Sequence, residues 1–576
     1  MCRFLLVSLN IDAILGEVTI RQRRKKLEDM TLGNGLSDAY TSTLTRLKAQ
    51  KGYKSVLGLK VLMWVLYTER PLRAQELCHA LGVEIGSTDL DPENVPALQT
   101  LLSSCLSLVT LEASSSTVRL VHFTLQEHLL RGPVLFDSPH ATIAEACLTY
   151  LNFRCVRDLS PTLHSAPAKF PLLDYASVYW GRHARRGMTK NSKILALRFL
   201  DRFNEHISAQ LVLRHHRQDF MWIFRLNTIG RPRGFTGLHE AAFHGIPGIF
   251  SAVLETKEWN VNANDCMGVT ALSWAAERGH EEVVKMLLER EDINPDQADN
   301  DDGRTALSWA AENGHEGVVK MLLQRENVNP GKAGTWHGRT PLSWAAEKGH
   351  EGIVKMLSER EDVNPDQDIR SGRASLSWAA GNGHEGVVKM LLQREDVNPD
   401  QADACFGSTP LSWAARQGHE PVVKMLLERE DVNPNSANTR YGRTALSWAA
   451  ERGHEGVVKI LLEQEGVNPD RGDTGDGRTP LSWAAELGHE GIVRILLERE
   501  DVNPNQANTE DGRTPLSWAA RSGHEGVVKL LLERKDLSIA EPDNKHQTPL
   551  SLALSKGHAG VARILERHNA NCDAAG

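Results

Sequence analysis

The sequence predicts a mostly α-helical protein: a solenoid of ten helix–turn–helix units with β-hairpin loops, preceded by a smaller helical region that carries one β-hairpin. Three observations predict it. The stretch GRTPLSWAAELGHEGIVRILLEREDVNPN, residues 477–505, is copied throughout 236–576, and self-similarity at a fixed period is the signature of a repeat architecture. Its marker tryptophans Trp274, Trp309, Trp344, Trp378, Trp413, Trp448, Trp483 and Trp518 recur every 34 or 35 residues, and Glu240 and Leu552 hold the same slot in two flanking copies. Residues 1–235 instead show an aperiodic succession of helical and strand patterns.

Within that front region, residues 1–36 suggest an amphipathic helix followed by the basic run Arg21–Lys26. Such a run suits nuclear import or a nucleic-acid contact, although a charged helix face is the commoner role. The short apolar run FLLVSL is interrupted by Asn10 and Asp12, unlike a signal peptide, and the chain holds no apolar run of membrane-spanning length. Helices are expected through TSTLTRLKAQ and SVLGLKVLMWVLYTE, broken at Glu69, Arg70 and Pro71 because proline disfavours helical geometry at the residue before it. LRAQELCHAL and PALQTLLSSCL continue as helices, and two strands flank Ala113–Ser116. This order over 37–135 is that of a winged helix. Residues 136–213 read as further bridging helices, and 214–235, rich in Arg and His, as a linker.

LKVLMWVLYTERPLRAQELCHAL together with STVRLVHFTLQEHLL resembles the winged-helix segment, named after GPI inositol-deacylase, that follows the nucleotide-binding module in fungal NACHT and ankyrin proteins. FLLVSLNIDAIL resembles the last helix of that module, so the resemblance implies a chain that begins where the NTPase ends. The phosphate-cradling pattern G-x-x-x-x-G-K-[ST] does not occur, and nucleotide hydrolysis is not carried over. G-x-S-x-G is also absent, so neither is the hydrolase activity in the family's name. Glu76, Glu84, Asp89, Asp91 and Glu93 crowd the would-be reading helix, against the cations that DNA reading needs.

The repeat from 236 to 576 resembles the ankyrin pattern G-x-T-P-L-H-x-A-A-x-x-G-H-x-x-V-V-x-x-L-L. Thr340, Thr409, Thr479 and Thr514 are placed to N-cap a short first helix, with proline next where its missing N–H costs nothing. Gly349, Gly418, Gly488 and Gly523 supply a left-handed turn before a second helix whose apolar face points inward. On its outer stripe, Glu316 and Lys320, or Glu351 and Lys355, are spaced to pair at i,i+4. The sequence departs from the family in three ways. Serine replaces the T-P-L-H histidine, the glycine after the second helix is lost within EREDVN, and the period lengthens the connecting loop by about two residues. The copy SGRASLSWAAGNGHEG loses its cap at Ala374, its proline at Ser375 and its glutamate at Gly381, and early opening is expected near 365–385.

His-Glu recurs from His280-Glu281 to His524-Glu525, but the second histidine of a zinc-peptidase H-E-x-x-H is always valine, as at Val284. No metal, cofactor or catalytic pattern is found. The recurring Gly-His reads as a turn plus a hydrogen bond between units, and the tryptophan column as packing. Binding specificity is sought where copies differ, at the loop tips and before the turn glycine: Trp336, His337, Lys348, Cys405, Phe406, Gln417, Arg440, Tyr441, Arg452 and Leu487. The ankyrin resemblance implies a protein ligand there. Residues 1–235 hold 30 Lys+Arg against 20 Asp+Glu, whereas 236–576 hold 36 against 54. That acidic array disfavours nucleic acid and anionic membrane and suits a basic protein partner. The expectation is a non-enzymatic cytoplasmic or nuclear scaffold, or else the ligand-sensing part of a NACHT-type receptor. Eight scattered cysteines without a pairing pattern suit reduced thiols.

Overall fold

The computed structural model describes residues 18–25, 36–132, 135–161, 163, 165–216, 234–300, 302–335, 338–367 and 372–575. Most of the expected helix in 1–36, most of the linker 214–235, and the candidate residues Trp336 and His337 lie outside the described residues. Contacts divide the chain into two bodies, 1–275 with 282–293, and 276–281 with 294–576.

In the first body, helices α1 (Leu36–Lys48), α2 (Tyr53–Tyr67), α3 (Ala74–Gly82) and α4 (Leu98–Ser104) precede strands β1 (Val109–Glu112) and β2 (Thr117–Leu120) and helix α5 (Phe123–Arg131). The strands pair antiparallel around the turn at 113–116, with Val109 opposite Leu120 and Glu112 opposite Thr117. The segment entering α3 joins them, since Val118 N–H donates to Leu72 O at 2.9 Å and Ala74 N–H to Ser116 O at 2.9 Å. This is a winged helix. Glu76 is buried rather than presented to a ligand: it takes both arms of the Arg70 guanidinium at 2.7 and 2.8 Å and accepts Arg73 N–H at 2.7 Å.

Helices α6 (Pro139–Leu151), α7 (Arg154–Arg157), α8 (Leu173–Arg186), α9 (Lys190–Leu200) and α10 (Ile207–His216) follow. They enclose a core of fully buried aromatics, Tyr150, Phe153, Tyr175, Trp180 and Phe203. The winged helix packs on them, with Trp64 and Tyr175 edge to face at 6.4 Å and Glu69 N–H donating to the Tyr175 hydroxyl at 3.1 Å. Trp180 in turn donates its indole N–H at 3.2 Å to Glu240, which stands in the tryptophan slot of the first repeat and also accepts from His244 at 2.9 Å. Next to Trp180, Gly181 leaves the space that the His244 ring fills, as an added Cβ would lie 2.1 Å from it.

From Gly237 onward the described residues form ten helix pairs, from Gly237–His244 with Pro247–Thr256 to Pro549–Ser555 with Ala559–Ala575. The local chemistry follows the sequence. Thr340 Oγ1 accepts Ser343 N–H at 3.2 Å, Ser343 Oγ accepts Thr340 N–H at 3.0 Å, and Gly349 ends the helix at φ 76°. Serine in the histidine slot thus remakes the local cap. It does not reach further, whereas His239, the one histidine kept in that slot, also donates to Ala263 O at 3.0 Å. At Ala374 no side-chain cap is made.

In the second body each repeat is fastened to the one before. His350, His384 and His524 donate from Nε2 to the carbonyls of Glu312, Glu347 and Glu486 at 2.9, 2.8 and 2.9 Å, as the Gly-His spacing led one to expect. The arginine of EREDVN compensates for the lost glycine. Arg429 is clamped by both Asp431 oxygens at 2.8 and 2.6 Å and donates to Leu392 O, at the end of the preceding second helix, at 2.9 Å. Arg499 and Arg534 repeat this on Leu462 O and Leu497 O, supplying from the next repeat a partner for helix-end carbonyls that have none of their own.

Two expectations are corrected. Among the described residues no ion pair within 4 Å joins Glu316 to Lys320 or Glu351 to Lys355. Those carboxylates lie instead on the glycines of the next repeat, where a Cβ on Gly352 would meet Glu316 Oε1 and one on Gly386 would meet Glu351 Oε1. The second glycine of G-H-E-G is therefore a seat for its neighbour's glutamate. The connecting loops, for their part, are hairpin-shaped without a β ladder among the described residues. Backbone bonds such as Asn438 N–H to Arg443 O at 2.9 Å and Gly442 N–H to Asn438 O at 2.8 Å close the loop at 438–443, and Asn438 Oδ1 accepts Arg443 N–H in addition.

Candidate functional site

The arginine that opens each G-R-T motif sits five residues before its tryptophan, which carries the guanidinium from the loop onto the indole. Arg339 stacks over Trp344 at 3.4 Å and over Trp378 of the next repeat at 4.1 Å. Arg373 lies between Trp378 and Trp413 at 3.8 and 4.0 Å, and Arg478 between Trp483 and Trp518 at 4.5 and 3.8 Å. A ladder of alternating guanidinium and indole thus runs from Trp309 to Trp518, each contact contributing about 0.5–1 kcal/mol at exposed sites and more where water is excluded. Glutamates hold the rungs, as Glu312 does Arg304 at 2.7 Å, with Glu347, Glu451 and Glu486 in the same position for Arg339, Arg443 and Arg478. Burial lowers the pKa of Arg339 and pushes that of Arg373 down to about 10, which leaves both cationic at neutral pH.

The loop tips are laid on this ladder. Phe406 meets Trp413 edge to face at 6.3 Å, and Tyr441 meets Trp448 in the same way at 6.4 Å. Arg440 bridges the two tips, 5.2 Å over Phe406 and 5.4 Å over Tyr441, while its N–H donates to Phe406 O at 3.2 Å. Asp403 sets the first tip by accepting Phe406 N–H at 2.6 Å and the Trp413 indole N–H at 3.0 Å. Beside it opens a groove of about 410 Å³ whose described walls include Arg339, Trp344, Arg373, Trp378, Cys405 and Phe406.

Of the residues singled out from the sequence, the structure therefore gathers Phe406, Arg440 and Tyr441 into one cluster, with Cys405 an exposed thiol beside it. Lys348, Gln417, Arg452 and Leu487 are exposed at the ends of four of the first helices. Sequence reasoning missed the ladder arginines. A signal was present: Ser408 breaks the G-R-T series in the repeat where Arg416 replaces the glutamate eight residues on. Arg416 indeed covers Trp413 and Trp448 at 5.5 and 4.6 Å. Trp309, Trp344, Trp448 and Trp518 are buried, while Trp378, Trp413 and Trp483 are half-buried, the first two of them lining the groove, so the column is mainly packing.

The family model for ankyrin repeats matches residues 209–299, 292–369, 361–438, 430–508 and 501–575. The chain belongs to the ankyrin-repeat family. Ahead of the ankyrin array, the model for the winged helix domain of GPI inositol-deacylase matches residues 44–141, an arrangement of the NACHT/ankyrin type. Among curated proteins none matches this ankyrin protein. Ankyrin repeats are typically non-catalytic and support a protein-interaction scaffold. Among the described residues no helix is long and apolar enough to cross a membrane, and no group of three or more His, Cys, Asp or Glu is arranged to hold a metal ion.

Proposed function

We propose that this ankyrin protein is a non-enzymatic scaffold that binds a protein partner through the loop tips and groove of the repeats between Arg304 and Trp448. The observation that carries this reading is the Phe406–Arg440–Tyr441 cluster: residues that differ between copies are set side by side, partly exposed, on a ladder that holds them rigid. Rigid aromatic and arginine side chains lose little entropy on binding and dominate interface energetics. The partner is a protein with a basic surface, attracted by an array of 36 Lys+Arg against 54 Asp+Glu, and neither nucleic acid nor membrane is its target. The protein works in the cytoplasm or the nucleus, with residues 37–135, 136–213 and 236–576 as winged-helix, bridging and ankyrin segments. Affinity capture with the full chain tests the reading. The double variant Phe406→Ala/Tyr441→Ala should lose the captured protein while Lys355→Ala, on a second helix, keeps it; equal capture by both variants rejects the face.

A second reading is favoured by the winged-helix match: the array senses a ligand for a NACHT-type receptor whose NTPase is encoded upstream. Coding sequence with a P-loop ahead of Met1 would support it over the scaffold.

A further inference from the structure

In the second body, the residue after each Asn-Pro of the connecting loop reaches the next repeat, and two copies show the contact in its complete form. Asn435 Oδ1 accepts Asn468 N–H at 2.9 Å while its Nδ2 donates to Gly466 O at 2.7 Å. Asn505 does the same with Ser538 N–H at 2.7 Å and Asp536 O at 2.6 Å. Each side-chain amide thus meets one donor and one acceptor that stand two residues apart in the next repeat.

Four copies carry aspartate at this position: Asp296, Asp366, Asp400 and Asp470. One oxygen keeps half of the contact, since Oδ2 accepts the N–H of Asn329, Asn398, Asn433 and Asn503 at 2.9, 2.8, 2.9 and 2.7 Å. The other, Oδ1, takes the place of the asparagine Nδ2. In all four it is buried and has no hydrogen-bond partner. The carbonyls that correspond to Gly466 O and Asp536 O are those of Asn327, Asp396, Asp431 and Asp501, which are acceptors too. The bland reading is an ionised loop carboxylate with its second oxygen in water. Oδ1 has no surface open to water, however, and a buried acceptor left unmatched is costlier when charged. Nothing larger than a proton fits there.

We propose that Asp296, Asp366, Asp400 and Asp470 each bind a proton on Oδ1 and donate it to that carbonyl, as the asparagines do from Nδ2, so that the joints between these repeats tighten as pH falls. A protonated carboxyl offers one donor and one acceptor, as the amide does. Like charge faces three of them, from Asp396 toward Asp366, Asp431 toward Asp400 and Asp501 toward Asp470, although Arg394, Arg429 and Arg499 pair with those carboxylates. Lys332 beside Asp296, Arg394 beside Asp366, the Ser436 hydroxyl on Asp400 and Arg534 beside Asp470 favour the charged form. Burial outweighs them and holds all four carboxyls above the ordinary 3.8. The folded chain therefore keeps protons that the unfolded chain releases. The stabilisation is complete below about pH 3.8 and is lost as pH rises through the folded values.

Amide hydrogen exchange on the full chain tests this with Asp400→Asn/Asp470→Asn, which copies Asn435 and Asn505. At pH 7.5 the N–H groups of Asn433 and Asn503 should exchange at least about threefold more slowly in the variant than in the unaltered chain, and at pH 4 the two chains should agree. Carbon-13 titration of the carboxyls in the unaltered chain, with the two signals assigned by their loss in the variant, should give midpoints above 3.8 for Asp400 and Asp470. Equal or faster exchange in the variant at pH 7.5, a slowing that persists undiminished at pH 4, or midpoints at or below 3.8 would each overturn the proposal.

Discussion

Arg416 lies 4.6 Å over the Trp448 ring in the one ladder repeat where Ser408 replaces the arginine of G-R-T. The guanidinium has moved from the loop to the glutamate position of the first helix and still reaches the indoles. The ladder is thus kept by chemistry rather than by position.

A double-mutant cycle reads this directly. Arg416→Glu alone should cost about 1–2 kcal/mol, from the lost cation–π contacts and a carboxylate set against indole faces. Adding Ser408→Arg should restore that loss, because the pair then matches Arg339 and Glu347. Denaturant unfolding measures both, and additive losses would deny the coupling.

The repeat around Ala374 should open first. It lacks the side-chain cap that Thr340 and Thr409 give their helices. Ala374→Thr should stabilise the array by about 1 kcal/mol. Hydrogen exchange should be faster over 374–382 than over 340–348 or 409–417, and uniform protection across these helices would contradict the expectation. Residues 368–371 of the expected opening segment lie outside the described ones.

Acid should weaken the first body at a definable place. Burial pushes the His206 pKa down to about 4 from an ordinary 6.5. Between those values the unfolded chain takes up a proton that the folded chain refuses, so stability is complete above about pH 6.5 and falls as pH drops toward 4. The contribution is up to about 1.4 kcal/mol per pH unit. His206→Gln should lessen this slope, to which the buried His183 adds a share of its own, in denaturant melts at pH 7, 5.5 and 4.5; an unchanged slope would remove His206 as a source.

The repeats were readable because each side chain that shapes them acts within a few residues: the Thr cap, the proline after it, the turn glycine. Contacts between repeats were only partly legible. The Gly-His spacing announced a bond to the preceding repeat. The glutamate of G-H-E-G, by contrast, suggested a lysine one turn away on its own helix, when the nearer neighbour in space is the glycine of the next repeat. Likewise Phe406, Arg440 and Tyr441 stood out as differences between copies, but nothing local says that Arg440 spans the two rings, since that depends on how one loop is laid on the next. The groove escaped notice for the same reason.

The most direct test of the proposed binding face is hydrogen-exchange footprinting of the protein with and without its captured partner. Protection confined to 403–407 and 438–442 and the walls of the adjoining groove is the predicted result. Protection of the second helices, such as Glu455–Leu462, with the loop tips unchanged would contradict it.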